Sequence, residues 1–235
     1  RDYYASRGLG DVYKRQRYSA AVEKPSYTYA TGSSAVSLTV SFSLDMSTLP
    51  KSPFTDVVAG SWYFDAALYA SSHNLMLGTS PTEFSPNITM TRGMLVTVLY
   101  RMNGSPSVSG KTPFTDVRTD EWYSAAVLWA YQNGIVTGMS DTTFAPINNV
   151  TREQMATILF RYTKTAAPDK AKASADLSGF ADAGSVNDWA VDAMRWAVGQ
   201  KLIAGITLEQ SVYLQPRGNA TRAQAATVLT RYYAQ

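Results

Sequence analysis

At 235 residues, with 45% hydrophobic and 17% charged residues, the chain has the balance of a folded globular protein rather than a disordered one. Its net charge of +3 is spread thinly. Residues 1–50 hold six Lys/Arg against four Asp/Glu, residues 51–235 hold fifteen against fourteen, and no basic cluster runs through the latter, which argues against nucleic acid as a partner. Without cysteine there are neither disulfides nor thiolate metal sites, and the single histidine, His73, reads as a surface residue at a helix end. That leaves few routes to nucleophilic or metal chemistry, so an enzyme is not expected, no cofactor is called for, and no metal site is expected. No apolar run approaches the ~18 residues of a membrane span.

Arg1–Gln16 has no hydrophobic period and no relation to the rest of the chain, and reads as an expression or sequence-assembly remnant (1–16). Residues 17–50 are rich in Ser, Thr, Tyr and Val, and Ser37–Leu44 alternates polar and apolar strictly, as a half-buried strand does. One strand is not stable alone, so this segment reads as the end of a truncated upstream β-rich domain, closed by the linker Leu49–Pro53. With no initiator Met and no signal-peptide core, the chain reads as the C-terminal part of a longer precursor.

From residue 51 onward a block recurs. Phe54-Thr55-Asp56-Val57, Trp62-Tyr63, Gly78, Phe84-Ser85-Pro86, Thr91-Arg92 and Arg101 reappear sixty positions later as Phe114-Thr115-Asp116-Val117, Trp122-Tyr123, Gly138, Phe144-Ala145-Pro146, Thr151-Arg152 and Arg161. A looser third copy carries Phe180-Ala181-Asp182, Trp189, Gly205, Leu214-Gln215-Pro216, Thr221-Arg222 and Arg231. Long-period self-similarity marks equivalent units that bury a shared core, and it favours a multivalent binder over an enzyme with one asymmetric site. The copies span 51–105, 111–165 and 177–235.

Each copy predicts helix, loop, helix. In the second, Thr119 or Asp120 caps a helix whose buried stripe is Trp122, Ala126, Trp129 and Ala130. Asn133-Gly134 ends it; Asn74 takes the glycine's place in the first copy, and Lys201, a poor fit for a left-handed residue, predicts a reshaped turn in the third. Gly138 and a short loop anchored by Phe144 lead to Thr151, the cap of a second helix with the stripe Met155, Ile158, Leu159 and Tyr162. The equivalent stripes are Leu95, Val98, Leu99, Met102 and Ala225, Val228, Leu229, Tyr232. Between copies lie the linkers 104–110 and 164–178, the longer one Ala/Lys-rich enough for a helical turn of its own.

The candidate site residues recur with the copies. At 100° per residue, Arg92, Arg152 and Arg222 lie about 60° from the centre of the buried stripe, and Arg101, Arg161 and Arg231 about 120° from it. The first set therefore borders a groove and the second points outward. A cation in the first turn also opposes the helix dipole, a cost accepted three times. Two readings stay open. Either each arginine pairs with the turn aspartate, Asp56, Asp116 or Asp182, or it captures an anion beside a helix N-terminus with free N–H groups. Trp62, Trp122 and Trp189 either fill the core, as large aromatics at helical spacing usually do, or present flat faces to sugar rings. Trp129 and Trp196 read as core. Gly78, Gly138 and Gly205 would let a ligand approach the backbone closely.

The ordered set Phe-x-Asp-Val, Trp-Tyr, Gly, Phe-x-Pro and Thr-Arg-x-x resembles the S-layer homology repeat over about residues 53–234, in three consecutive copies. The resemblance implies a mainly α fold, three helix-loop-helix repeats interlocked as a pseudo-threefold, three-pronged spindle with grooves between prongs. It also implies a monomeric module that anchors an exported protein non-covalently to the bacterial cell wall or S-layer. The implied partner is a peptidoglycan-linked secondary cell-wall polysaccharide, typically bearing pyruvate ketals on N-acetylmannosamine. The family's Thr-Arg-Ala-Glu motif is matched in part: Thr91-Arg92-Gly93-Met94, Thr151-Arg152-Glu153-Gln154 and Thr221-Arg222-Ala223-Gln224. The arginine implied to grip the ketal carboxylate is present each time, with Gln154 and Gln224 standing where the motif has glutamate. A protein-interaction scaffold, or the anchoring tail of a wall-acting glycan hydrolase, is the alternative. Taken copy by copy, the second has the fullest set, so Arg152→Ala is expected to weaken wall binding more than Arg92→Ala.

Overall fold

The computed structural model describes residues 52–172 and 175–233; the expectations for residues 1–50 lie outside the described residues. Among the described residues six α-helices make up three repeats, α1 (Phe64–Ser72) with α2 (Arg92–Met102), α3 (Ser124–Gln132) with α4 (Arg152–Ala166), and α5 (Val191–Gly199) with α6 (Arg222–Tyr233). The repeats are thus helix-loop-helix units, and among the described residues the only sheet is a hairpin, β1 (Ile206–Leu208) with β2 (Ser211–Tyr213), paired Ile206 to Tyr213. That hairpin replaces, in the third repeat, the short loop that comes after Gly78 and Gly138 in the other two.

The second helix of each pair starts where its threonine predicts. Thr91 and Thr151 hold extended backbone, and their hydroxyls accept from the N–H of Met94 and Gln154. Thr221 does the same for Gln224. Each cap satisfies one of the donors a helix start leaves unpaired, worth about 1 kcal/mol. The apolar stripes lie inside: Leu95, Leu99, Met155, Leu159, Ala225 and Leu229 are all buried. Full burial of a side chain of the size of leucine stabilises by roughly 1.5–3 kcal/mol.

The first helix of each pair departs from expectation. It begins two residues after its tryptophan, with Tyr63, Tyr123 and Ala190 at the N-cap and no side-chain cap bond. Asp120 is engaged instead by Arg118 at 2.8 Å on the surface, and the Ser124 hydroxyl donates to the carbonyls of Thr119 and Glu121. Trp122 therefore sits ahead of the helix and leaves the stripe, which is filled by Ala126, Val127, Trp129 and Ala130.

The pairs interlock in a cycle. The second helix of each repeat packs on the first helix of the next, α2 on α3 and α4 on α5, and α6 returns to pack on α1. At the axis three backbone hydrogen bonds close a ring: Met90 N to Ala220 O (2.8 Å), Ala220 N to Val150 O (2.9 Å) and Val150 N to Met90 O (2.9 Å). Each repeat supplies one residue to it. No repeat completes its own core, and the threefold arrangement is a property of the whole module.

The helix-ending turns are alike in all three repeats, including the third, where the lysine predicts a reshaped one. Asn74, Gly134 and Lys201 have φ of +56°, +67° and +58°, and the residue after each donates to the carbonyl of Ala70, Ala130 or Ala197. Lys201 is held in a left-handed conformation that costs an L-residue about 1 kcal/mol. Lys201→Gly should therefore stabilise the module by about 0.5–1 kcal/mol, a rise of roughly 2–3 °C in the melting midpoint. A thermal melt checks this, and a lowered midpoint would show that the lysine contributes something beyond its backbone.

Candidate functional site

The turn aspartates build the loops that position the arginines. Asp116 accepts from the N–H groups of Phe144 (2.9 Å) and Ala145 (2.7 Å), Asp56 from Phe84 and Ser85, and Asp182 from Leu214 and Gln215. These carboxylates hold the second residue of each Phe-x-Pro or Leu-x-Pro segment at positive φ: Ser85, Ala145 and Gln215 at +55°, +59° and +49°. The carbonyl one residue earlier is then turned towards the neighbouring repeat.

Each arginine takes that carbonyl. Arg92 Nε donates to Phe144 O (2.8 Å), Arg152 Nε to Leu214 O (2.7 Å) and Arg222 Nε to Phe84 O (2.8 Å), so every bond runs between repeats, in the same cyclic order as the helices. Arg92 and Arg222 also lie over the rings of Phe144 and Phe84, 4.7 and 4.8 Å from their centres. All three are about 5% exposed, more deeply set than a groove-bordering position suggests. Among the described residues none forms an ion pair with a turn aspartate. The two groups instead brace opposite ends of one residue, the aspartate at its N–H and the arginine at its C=O.

The helix N-termini are not free for an anion either. The N–H groups of Arg92 and Gly93 donate to Asn148 O and Pro146 O, those of Arg152 and Glu153 to Gly218 O and Pro216 O, and those of Arg222 and Ala223 to Ile88 O and Pro86 O. With the third N–H of each helix on its threonine, anion recognition falls to side chains.

One cavity, of about 330 Å³, combines such side chains; it is lined by Arg92, Thr137, Gly138, Gln154, Arg161 and Trp189, with Val136 and Ile158 beneath. Its residues come from all three repeats: the arginine from the first, the Gly138 loop, Gln154 and Arg161 from the second, the tryptophan from the third. A copy-by-copy grouping of Arg152 with Gly138 and Trp122 therefore does not describe it. Cyclic packing pairs each arginine with the next repeat's glycine loop. Burial lowers the Arg92 guanidinium to about 10; Asp116 pulls it back up, and nearby Arg161 lowers it further. Arg92 still carries its charge at neutral pH, and its repulsion with Arg161 is relieved by an anion placed between them. Arg152 and Arg222 are lowered for the same first reason, burial, opposed by Asp182 and Asp56.

Arg161, which its helical period directs outward, is a residue of this site. It lines the cavity and donates to the Thr137 hydroxyl at 3.3 Å. The signal for it in the sequence is an arginine recurring at the same place in every copy. Gln154 and Gln224 have a role that the motif comparison does not assign. Their Oε1 atoms accept from the N–H of Thr151 and Thr221, completing capping boxes. Gln154 Nε2 remains at the cavity, 3.9 Å from Met139 Sδ.

The repeated tryptophans at 62, 122 and 189 do not fill the core, as large aromatics at helical spacing usually do. Trp62, Trp122 and Trp189 are 67%, 58% and 54% exposed, whereas Trp129 and Trp196 are buried. The glycines serve packing first. A Cβ on Gly138 would stand 2.4 Å from Ser140 O and 2.6 Å from the Phe114 ring, at φ +82°, and Gly78 and Gly205 are closed in by Phe54 and Phe180 in the same way. Of the three, Gly138 also lines the cavity.

The model of the S-layer homology domain matches this chain three times, at residues 53–93, 113–156 and 179–226. An endoglucanase of Bacillus sp. (strain KSM-635) is 34% identical over 76% of this chain and 18% of its own length. The surface-layer 125 kDa protein of Lysinibacillus sphaericus is 32% identical over 66% of this chain and 12% of its own. An amylopullulanase of Thermoanaerobacterium thermosulfurigenes is 28% identical over 75% of this chain and 9% of its own. The chain thus spans less than a fifth of these relatives.

Proposed function

The chain belongs to the S-layer homology family, and from that premise we propose that it holds its parent protein to the wall by gripping a carboxylate of a pyruvylated secondary polymer in the Arg92 cavity. Modules of this family anchor surface proteins to the cell wall by binding its secondary polymers, and this one acts outside the cell. The observation that carries the finer reading is that one cavity brings two guanidinium groups together with an exposed indole.

The chemistry comes from those groups. Arg92 spends Nε on Phe144 O, which fixes the plane of its fork, and its terminal nitrogens with those of Arg161 offer charge-assisted bonds to a ketal carboxylate. Trp189 supplies a flat face for the sugar ring, while the Thr137 hydroxyl and Gln154 Nε2 are donors for ring substituents. Nothing in the arrangement requires a cofactor, and a cavity of this size suits one or two sugar residues. Arg152 and Arg222, with Trp62, Trp122, Gly78, Gly205 and Gln224, belong to the two equivalent grooves. Closure of the cycle within one chain supports a monomeric module.

Co-sedimentation with purified wall material tests this. Binding should be strong to wall that retains its secondary polymer, be lost when the polymer is stripped, and weaken as salt rises, since a partly exposed charge contact is screened. Undiminished binding to stripped wall would place the ligand elsewhere. A second reading concerns the parent protein: relatives named endoglucanase and amylopullulanase favour the tail of a wall-attached glycan hydrolase.

A further inference from the structure

Glu153 is a buried carboxylate, 3% exposed, at the helix position where the other repeats have Gly93 and Ala223. Burying a charge is expensive unless its oxygens are satisfied, and an apolar residue would fill the place at less cost. Both oxygens are used on one residue of the third repeat. Oε2 accepts from Asn187 N at 3.1 Å and Oε1 from Asn187 Nδ2 at 2.5 Å. Asn187 opens the short 3-10 turn Asp188–Ala190, which carries Trp189, and its carbonyl accepts from the N–H of fully buried Ala190 at 2.8 Å. The backbone on both sides of Trp189 is therefore held, by Glu153 before it and by the core after it.

The other exposed tryptophans are held differently. Trp62 and Trp122 meet the rings of Tyr63 and Tyr123 edge to face, at 5.3 and 5.1 Å. Ala190 stands in that position in the third repeat, so Trp189 has no tyrosine beside it. The clamp occurs where the ring support is missing, in the groove that forms the cavity.

We propose that Glu153 is a positioning residue for glycan binding, acting through Asn187 to hold the Trp189 indole at the cavity. This rests on the reading of that cavity as the glycan site. A helix-stabilising acidic residue in the first turn would act on folding alone; the clamp acts on affinity, and only while Trp189 is present.

A double-mutant cycle separates the two, using pyruvylated N-acetylmannosamine and the same sugar without its ketal as probes. Glu153→Ala and Trp189→Ala should each weaken binding on the order of tenfold, and the double variant should bind no worse than Trp189→Ala alone. The preference for the ketal-bearing sugar should be unchanged in Glu153→Ala, since Arg92 is untouched. Should Glu153→Ala fail to fold, Asn187→Ala removes half the clamp while leaving the helix intact, and carries the same expectation at a smaller loss. Wild-type affinity in the clamp variants, or a Glu153→Ala loss that persists in full without Trp189, would overturn the proposal. If the wild-type module binds both sugars alike, the ketal reading fails, whatever the cycle shows.

Discussion

Arg92→Ala should weaken binding to pyruvylated wall glycan about ten- to a hundredfold, while Arg152→Ala and Arg222→Ala leave most of it. All three variants should nevertheless lose stability, Arg222→Ala the most because it satisfies two carbonyls. Each arginine satisfies a buried carbonyl of the neighbouring repeat, and an orphaned acceptor costs about 1–3 kcal/mol. The grooves differ in what else they offer. In the Arg222 groove a terminal nitrogen is already engaged by Leu77 O at 2.7 Å, and Met94 stands in place of Gln154. In the Arg152 groove the equivalent of Arg161 is Arg231, whose Nη1 donates to Leu202 O at 3.0 Å. Only the Arg92 groove joins its arginine to Arg161, Gln154 and Trp189 at the described cavity. Losing a charge-assisted contact there is worth about 1.5–3 kcal/mol. Titrations of the three variants at matched folded fraction decide the ranking, and a greater loss from Arg152→Ala would restore the copy-by-copy expectation.

Removing the third repeat should abolish cooperative folding of the first two. Residues 51–165 alone would lose α6 from α1, α5 from α4, Ala220 from the axial ring and the Arg222 bond to Phe84 O. Each loss exposes apolar surface or orphans a buried polar group, and together they exceed the roughly 5–15 kcal/mol by which a domain is stable. The intact module should melt in one transition; the two-repeat fragment should show none. A fragment melting as sharply as the whole would mean that the cycle is not cooperative.

Much of this arrangement is written locally and part of it is not. The stripes around Leu99, Leu159 and Leu229, and the threonine caps, are read from spacing because they depend on one helix's own period. The same period places Trp122 on its helix, yet the helix starts at Ser124, a boundary set by the turn. Lys201 shows tertiary context overriding preference: the turn keeps its left-handed residue although the side chain disfavours it. The site is the least legible part. Repetition reveals which residues are equivalent, but not which copy packs on which, so Arg92, Gly138 and Trp189 cannot be grouped from the sequence. Glu153 also lies inside a recognised motif, at a position where the three copies differ.

The most direct test is a calorimetric titration of the whole module with pyruvylated N-acetylmannosamine glycan and with the same glycan after its ketal is removed. One dominant site is expected, with at least tenfold preference for the ketal-bearing form and loss of that preference in Arg92→Ala. Equal affinity for the two glycans, or a preference that survives without Arg92, would contradict this.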